Sequence, residues 1–428
     1  MDHSGSTRRR TLLVLHATGA VGADWWIPRL VELADVFVIY REDLLDSFDE
    51  IDLLEGCDLA VPVIAGEDVA RVTAEALGGR RVDGVLTFSE AMLGQAAAVA
   101  ERLAVPHHPS GAVRQMQRKD LQRQVCEGVG LPGPRSVSLS EPSAVARAEQ
   151  LLNFPVIVKP AWGFGSSATA CASSRDEFAE VVRCQQANYD SDWRLQGPVG
   201  HLVAEELIVG ESWHDDPRMG QMVSVESLFF HGEAMHLTVT DKFPPAEPFR
   251  ETGDIMPSWL SEDQRHEIVG FADSCLRALG AYHGACHTEL KLTPDGPRLI
   301  EANGRLGGYV AGLMSTVFDY DIVTAIGELA LGSRPGLPGP PRCYAAGMNL
   351  MSPPTDMMVT ALGGIPEIEA MEGVRLVVVG GVGSVPAWRL GGGCYGYIEL
   401  VGDDPVAMLD LRDAVLGALV YETSEVRR

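Results

Sequence analysis

His287, Glu289 and Lys291 recur at every second position. Ten residues after Lys291 a second alternating series begins with Glu301, Asn303 and Arg305. Between them stand Pro294, Asp295 and Gly296, the composition of a three-residue hairpin loop closed by a left-handed glycine. If that loop sets the register, Thr293 faces Pro297, Lys291 faces Leu299 and Glu289 faces Glu301. Side chains alternate with period two, so His287, Glu289 and Lys291 share one face with Glu301 and Asn303. Two carboxylates directly opposed on a sheet repel each other. A divalent cation between them reverses that sign. Two carboxylates and an amide oxygen suit magnesium, which usually completes its shell with substrate phosphates. Arg305 follows and leads into Gly307 and Gly308, so it can aim a fixed cation at the same place. The competing reading is a surface hairpin with a solvated charged face.

Such a cation site needs partners, and the lysines point to them. Arginine outnumbers lysine 30 to 4, the lysines being Lys119, Lys159, Lys242 and Lys291. A chain that nearly abolishes lysine keeps it where a compact point charge binds phosphate and the planar arginine fork would not fit. Residues 154–160 form an apolar strand that ends at Lys159 and runs into Gly163, Phe164, Gly165, Ser166 and Ser167. A lysine followed by a flexible loop rich in backbone N–H donors is a phosphate clamp. It is not the P-loop, because the lysine precedes the glycines and no helix-opening GK[ST] follows. Lys119 sits on an amphipathic helix expected over 112–128. Residues 201–209 read as a strand carrying Glu205 and Glu206, an acidic strand end that could meet a nucleotide or simply solvent.

The remaining elements frame these groups. A chain of 428 residues is too long for one core and suggests about three ordinary domains. Hydrophobic residues at 46% and charged residues at 22% give a globular profile. The formal charge of −25 argues against nonspecific binding to nucleic acid or anionic membrane, so an anionic substrate would need local positive charge. Eight scattered cysteines without a C-x-x-C pair read as free thiols in a reducing cytoplasm, and the apolar run before His16 is too short for an export signal. Strand patterns at 11–15, 36–40, 59–63 and 84–88 alternate with helical patterns at 68–77 and 91–103, implying a parallel sheet with a crevice at strand C-termini. Gly19 to Gly22 is not a convincing dinucleotide fingerprint. Ser89 and Glu90 sit just past the fourth strand, where ligands are met. Residues 222–230 and 234–241 read as strands, 260–279 and 320–331 as helices, and 243–257 as a candidate lid. Short strands after residue 342 and a final helix over 405–420 suggest a small α+β unit. The fold class is therefore multidomain α/β and α+β, divided as 1–115, 116–205, 206–335 and 336–428.

The order Lys119, Lys159 with its glycine loop, Glu205-Glu206, Glu289, and Glu301-x-Asn303-x-Arg305 resembles the ATP-grasp superfamily, over roughly residues 11–420. It is most similar to the carboxylate–amine ligases of the L-amino-acid ligase group, which carry a lid segment E-T-G-H-x-x-P, then H-x-E-x-K and an ending G-P-x-x-I-E-x-N-x-R-x-G-G. Here these read Glu251-Thr252-Gly253-Asp254 through Pro257, His287 through Lys291, and Gly296 through Gly308. The resemblance implies an ATP-grasp fold behind an N-terminal Rossmann-like sheet. It also implies ATP and one or two magnesium ions as cofactors, with manganese an acceptable substitute. Lys119 and Lys159 would hold the phosphates under Gly163, Gly165, Ser166 and Ser167. Glu205, with its neighbour Glu206 and the backbone around Leu207, would read adenine, and Glu211 ribose. Glu289, Glu301 and Asn303 would bind metal, and Arg305, Glu251 and Asp254 would be catalytic. Glu90, His287, Gly308 and Tyr309 would line the substrate pocket. Asp254 departs from the family's usual histidine, and the ribose contact is open because the loop after Glu211 is long. The implied reaction activates a carboxylate as an acyl phosphate and joins it to an amine, both amino acids or short peptides. A homodimer is compatible with it. Alternatives are another ATP-grasp enzyme (a carboxylase or an acid–thiol ligase), a non-catalytic ATP-binding module, or an NAD-dependent oxidoreductase.

Overall fold

The computed structural model describes residues 8–45, 49–192, 199–353, 357–380, 382–383, 385 and 394–425.

The first strand, β1 (Thr11–His16), is buried at all six positions, as an apolar strand covered on both faces must be. It pairs in parallel with β2 (Asp35–Arg41) and β4 (Gly84–Leu86), and β2 pairs with β3 (Leu59–Val63), giving the order β3-β2-β1-β4. The fourth strand is shorter than expected because the chain turns at once. The Ser89 amide donates to the Thr87 hydroxyl at 3.0 Å, and the Ser89 hydroxyl donates to the Thr18 carbonyl at 2.7 Å.

An antiparallel sheet follows, ordered β5 (Ser136–Ser138), β8 (Leu202–Glu206), β6 (Val156–Pro160), β7 (Ala170–Ala172). Helices Ser143–Leu151 and Arg175–Ser191, which the sequence reading did not anticipate, pack on it around Phe178. The largest sheet runs β13 (Arg298–Asn303), β12 (Gly284–Lys291), β9 (Met222–Phe230), β10 (Glu233–Lys242), β11 (Gly253–Met256), β14 (Tyr344–Met351), β17 (Cys394–Gly402), β16 (Val374–Val379). The C-terminal strands thus continue the same sheet as the central hairpin. β15 (Met358–Gly363) and β18 (Val420–Ser424) pair apart.

Three expectations need correction. The single helix over 112–128 is two helices, Ser110–Met116 and Lys119–Gly128. The break is imposed from outside, by Gln117 donating to the Glu90 carbonyl at 2.8 Å and the Lys119 amide donating to the Ala161 carbonyl at 2.9 Å. The candidate lid over 243–257 is partly a sheet strand, since β11 pairs with both β10 and β14. In the hairpin, Lys291 faces Arg298 rather than Leu299, because a bulge at Ile300 shifts the register below the Glu289–Glu301 pair.

The apolar helices Val310–Phe318 and Ile322–Ala330 fill the space between the parallel sheet and the large sheet, joining Leu12 and Val14 to Leu228 and Ala285 in one core. They bend by 111° at their junction, and no single helix among the described residues is long and apolar enough to cross a membrane.

Candidate active site

One face of the large sheet forms a floor of polar rungs. In register across β10, β9, β12 and β13 lie Thr238, Glu226, His287 and Asn303, and on the next rung Thr240, Ser224, Glu289 and Glu301. The opposed carboxylates are therefore real. Each is answered by a lysine from another element: Lys119 lies 2.9 Å from Glu301, and Lys242 lies 3.3 Å from Glu289. Burial would raise Glu289's pKa, but Lys242 and His287 outweigh it and hold the carboxyl well below its usual range. For Glu301, Lys119 does the same against burial. His287 contacts Glu289 at 3.2 Å through one ring nitrogen and Glu226 through the other. Burial lowers its pKa, yet the two carboxylates raise it to about 10, so the ring is cationic at neutral pH.

Two cavities meet over this floor and share Phe164, Gly165, Lys242, Glu251, Glu289 and Glu301 as a common wall. The first holds the phosphate-clamp residues. Lys119 opens its helix at the break described above and donates to the Gly163 carbonyl at 2.7 Å. Gln122, one turn on, bonds both the carbonyl and the amide of Ala302, at 2.9 Å each, and so fixes the helix against β13 beside Glu301. Lys159, on β6, pairs with Glu205 on neighbouring β8 at 2.9 Å, and Arg123 holds the same carboxylate at 3.1 Å. Burial dominates Lys159 and lowers its pKa. The loop after it carries Gly165, Ser166 and Ala168 at φ 63°, 55° and 48°, and Gly163 through Ser167 line this cavity. Pro245, Phe249 and Glu251, from the segment expected as a lid, line this cavity opposite the loop.

The second cavity brings together Glu90, Glu251, Asp254, His287, Arg305, Gly308 and Tyr309. Arg305 donates to Glu90 at 3.1 Å, linking the parallel sheet to the hairpin's end, and Gln117 donates to the same carboxylate at 3.1 Å. Tyr309 adopts φ 60°, a strained conformation for a non-glycine residue, and stacks on Tyr397 with ring centroids 4.3 Å apart. Asp254 lies 3.3 Å from Lys242, as does Glu251. Thr18, Gly19 and Ala20, from the turn after β1, close the far side. Gly19 is required there, because a Cβ would stand 2.4 Å from the Phe88 carbonyl oxygen.

Some expectations land elsewhere. Glu211 is exposed and lines neither cavity. The Glu205 carboxylate lies in the first cavity but is engaged by Lys159 and Arg123. Glu206 and Leu207 line the first cavity beside it, Glu206 paired with Arg135 and the Leu207 amide donating to the Pro155 carbonyl at 3.0 Å. Sequence reasoning flagged Lys242 by its rarity as one of four lysines but did not place it at the site, where it is the hub of three carboxylates. It missed Glu226, Gln122 and Arg123, whose partners lie far away in the chain.

Among the described residues, no cluster of three or more His, Cys, Asp or Glu side chains forms a ready-made metal cage. Magnesium takes one or two carboxylates and completes its shell from phosphate and water. Glu289, Glu301 and Asn303 share one sheet face, and two lysines already stand in as counter-charges. The residues fit a hard divalent ion.

Residues 152–313 match the family model described as the ATP-grasp domain. Carnosine synthase 1 of Homo sapiens is 28% identical over 292 residues, which are 64% of this chain and 34% of that protein. An alanine–anticapsin ligase of Bacillus subtilis is 26% identical over 280 residues, 64% of this chain and 59% of that one. The chain thus spans about a third of the length of the carnosine synthases it matches. Among solved structures, the L-amino acid ligase of Bacillus licheniformis superposes with TM-score 0.76 at 21% identity, covering 98% of this chain and 100% of that one. N5-carboxyaminoimidazole ribonucleotide synthetase of Thermotoga maritima reaches 0.69 at 16% identity, covering 97% and 100%.

Proposed function

The chain carries an ATP-grasp domain within an ATP-grasp fold, and from that premise we propose that it is an ATP-dependent carboxylate–amine ligase. It joins amino-acid-type substrates through an acyl phosphate and releases ADP and phosphate. The fold hosts several chemistries, so the site must carry the argument. The observation that carries it is the common wall, where Glu289 and Glu301 face a cation-lined cavity on one side and an acid-rich cavity on the other. That arrangement suits a group passed from a polyphosphate in the first cavity to a small molecule in the second. The relatives that are named ligases of amino acids support the same reading.

A carboxylate is a poor electrophile because oxide leaves badly. When its oxygen attacks the γ-phosphorus of ATP, the P–O bond to ADP breaks and an acyl phosphate forms. An amine then attacks the carbonyl carbon, phosphate departs with the original carboxylate oxygen, and the amine gives up a proton. Lys119, Lys159 and the amides of the glycine loop hold the nucleotide phosphates. Arg305, braced by Glu90, stabilises charge on the transferring group and on the tetrahedral intermediate. Glu251 and Asp254 face the amine and accept its proton. Magnesium, held by Glu289, Glu301 and Asn303, would neutralise phosphate charge as in other phosphoryl transfers. The glycine loop and the segment over 243–254 keep water from the acyl phosphate.

The test is phosphate release from magnesium-ATP with single acids and then with pairs of amino acids, beside Glu301→Ala. Release that requires a pair, yields the mass of their condensation product and is lost in Glu301→Ala is expected. Release with one acid would indicate a different nucleophile. ATP binding without release for any acid would overturn the reading in favour of a binding module.

A further inference from the structure

Glu226 lies on the floor but lines neither cavity. It is fully buried, and its Oε2 has no hydrogen-bond partner. A carboxylate buried in this way is rarely there for stability, since an apolar pair in its place is often as good. Its Oε1 is engaged by His287 Nδ1, directly across the β9–β12 register. The other ring nitrogen of His287 contacts Glu289 at Oε1, 3.2 Å away. Lys242 reaches that same oxygen at 3.3 Å. Both contacts fall on Oε1, which leaves Oε2 of Glu289 as the oxygen for a cation.

Resting on the metal-assisted ligase reading, we propose that Glu226 is a positioning residue. It holds the His287 ring so that His287 and Lys242 pin one oxygen of Glu289 and leave the other to the divalent ion. The logic matches metal sites where an outer carboxylate orients a histidine, except that here the oriented histidine acts on a ligand carboxylate instead of on the metal. Glu226 touches neither substrate nor nucleotide in this scheme. Its contribution passes entirely through the ring of His287. This also accounts for His287 standing beside the second cavity with both nitrogens already engaged.

The experiment uses the full chain without turnover. Mn2+ uptake is measured by electron paramagnetic resonance in the presence of ADP, for wild type, Glu226→Gln, His287→Gln and the double variant. Metal-free ADP affinity and melting temperature are read in parallel. Glu226→Gln is expected to weaken Mn2+ uptake about tenfold, the lower end for outer-shell partners, with metal-free ADP affinity unchanged. His287→Gln should lose about as much, and the double variant no more than the larger single loss, as for residues acting in series. A folded Glu226→Gln with wild-type Mn2+ affinity, or losses that multiply in the double variant, would overturn the proposal. If Glu226→Gln melts below the assay temperature, His287→Gln carries the test, and wild-type affinity there overturns it equally. Wild type that takes up no Mn2+ with ADP would instead defeat the metal reading itself, and this inference with it.

Discussion

The two cavities meet at one wall yet differ in charge balance, the first lined by as many cations as carboxylates and the second by more carboxylates than cations. The first gathers Lys119, Lys159 and Arg123 around Glu205 and Glu301. The second gathers Glu90, Glu251 and Asp254 around Arg305 and Lys242. In a chain of net charge −25 with four lysines, all four line the first cavity. Positive charge is concentrated where a polyphosphate must sit, and it is held ready by carboxylates that a phosphate can replace. The acid-rich side suits small molecules that carry both a carboxylate and an ammonium group. The contrast teaches that the large sheet supplies a shared floor, while flanking elements set each cavity's charge balance.

Variants should separate the two sides. Replacing a carboxylate of the shared wall, Glu289→Gln or Glu301→Gln, is expected to cut amide formation about 10³-fold, comparable with losing a preorganised charge-stabilising group. Steady-state assays of ADP and product would check this, and activity within tenfold of wild type would break the common-wall picture. Lys159→Met should raise KM for ATP about 100-fold, the scale for truncating one partner of a buried charge pair. The KM of the second-cavity substrates should stay within twofold. Asp254→Asn should act on the other side, lowering kcat for amide formation and raising the amine substrate's KM about tenfold, as for one lost charged hydrogen bond, with KM for ATP unchanged. Tyr397→Leu removes the stack that supports Tyr309 and should change second-cavity KM about threefold.

The smallest expected effect is on pH dependence. Burial lowers the Lys159 pKa from the ordinary 10.5, so the ammonium loses its proton at a lower pH than an exposed lysine would. KM for ATP should therefore climb as pH rises into the alkaline range. Lys159→Met, which has no ammonium proton to lose, should flatten that rise.

The hairpin was legible because its chemistry is local. A three-residue turn, alternation and two short strands place Glu289 opposite Glu301 with little help from elsewhere. Even there the bulge at Ile300 was hidden, since it reflects contacts from outside the hairpin, among them Arg123 donating to the Ile300 carbonyl at 2.6 Å. Lys159 and its glycine loop were legible for the same reason. The helix break before Lys119 was not, because Gln117 and the Lys119 amide find their partners at Glu90 and Ala161. Lys242 could be flagged by rarity but not placed, as its three carboxylates come from β11, β12 and the segment before β11. Adjacency alone assigned Glu211 to ribose. The next residue back, Gly210, packs so closely on Lys291 that a Cβ would lie 2.4 Å from its side chain, and Glu211 itself is exposed. The continuation of the sheet through β14, β17 and β16 was invisible, because strand patterns do not name their neighbours.

The most direct test of the central claim follows one oxygen atom. The acid substrate is labelled with ¹⁸O in its carboxylate, turned over with magnesium-ATP and the amine, and the released phosphate is analysed by mass. Transfer through an acyl phosphate requires one labelled oxygen in each phosphate formed. Unlabelled phosphate accompanying amide product would contradict it and would mean that the carboxylate never attacks phosphorus across the wall that Glu289 and Glu301 share.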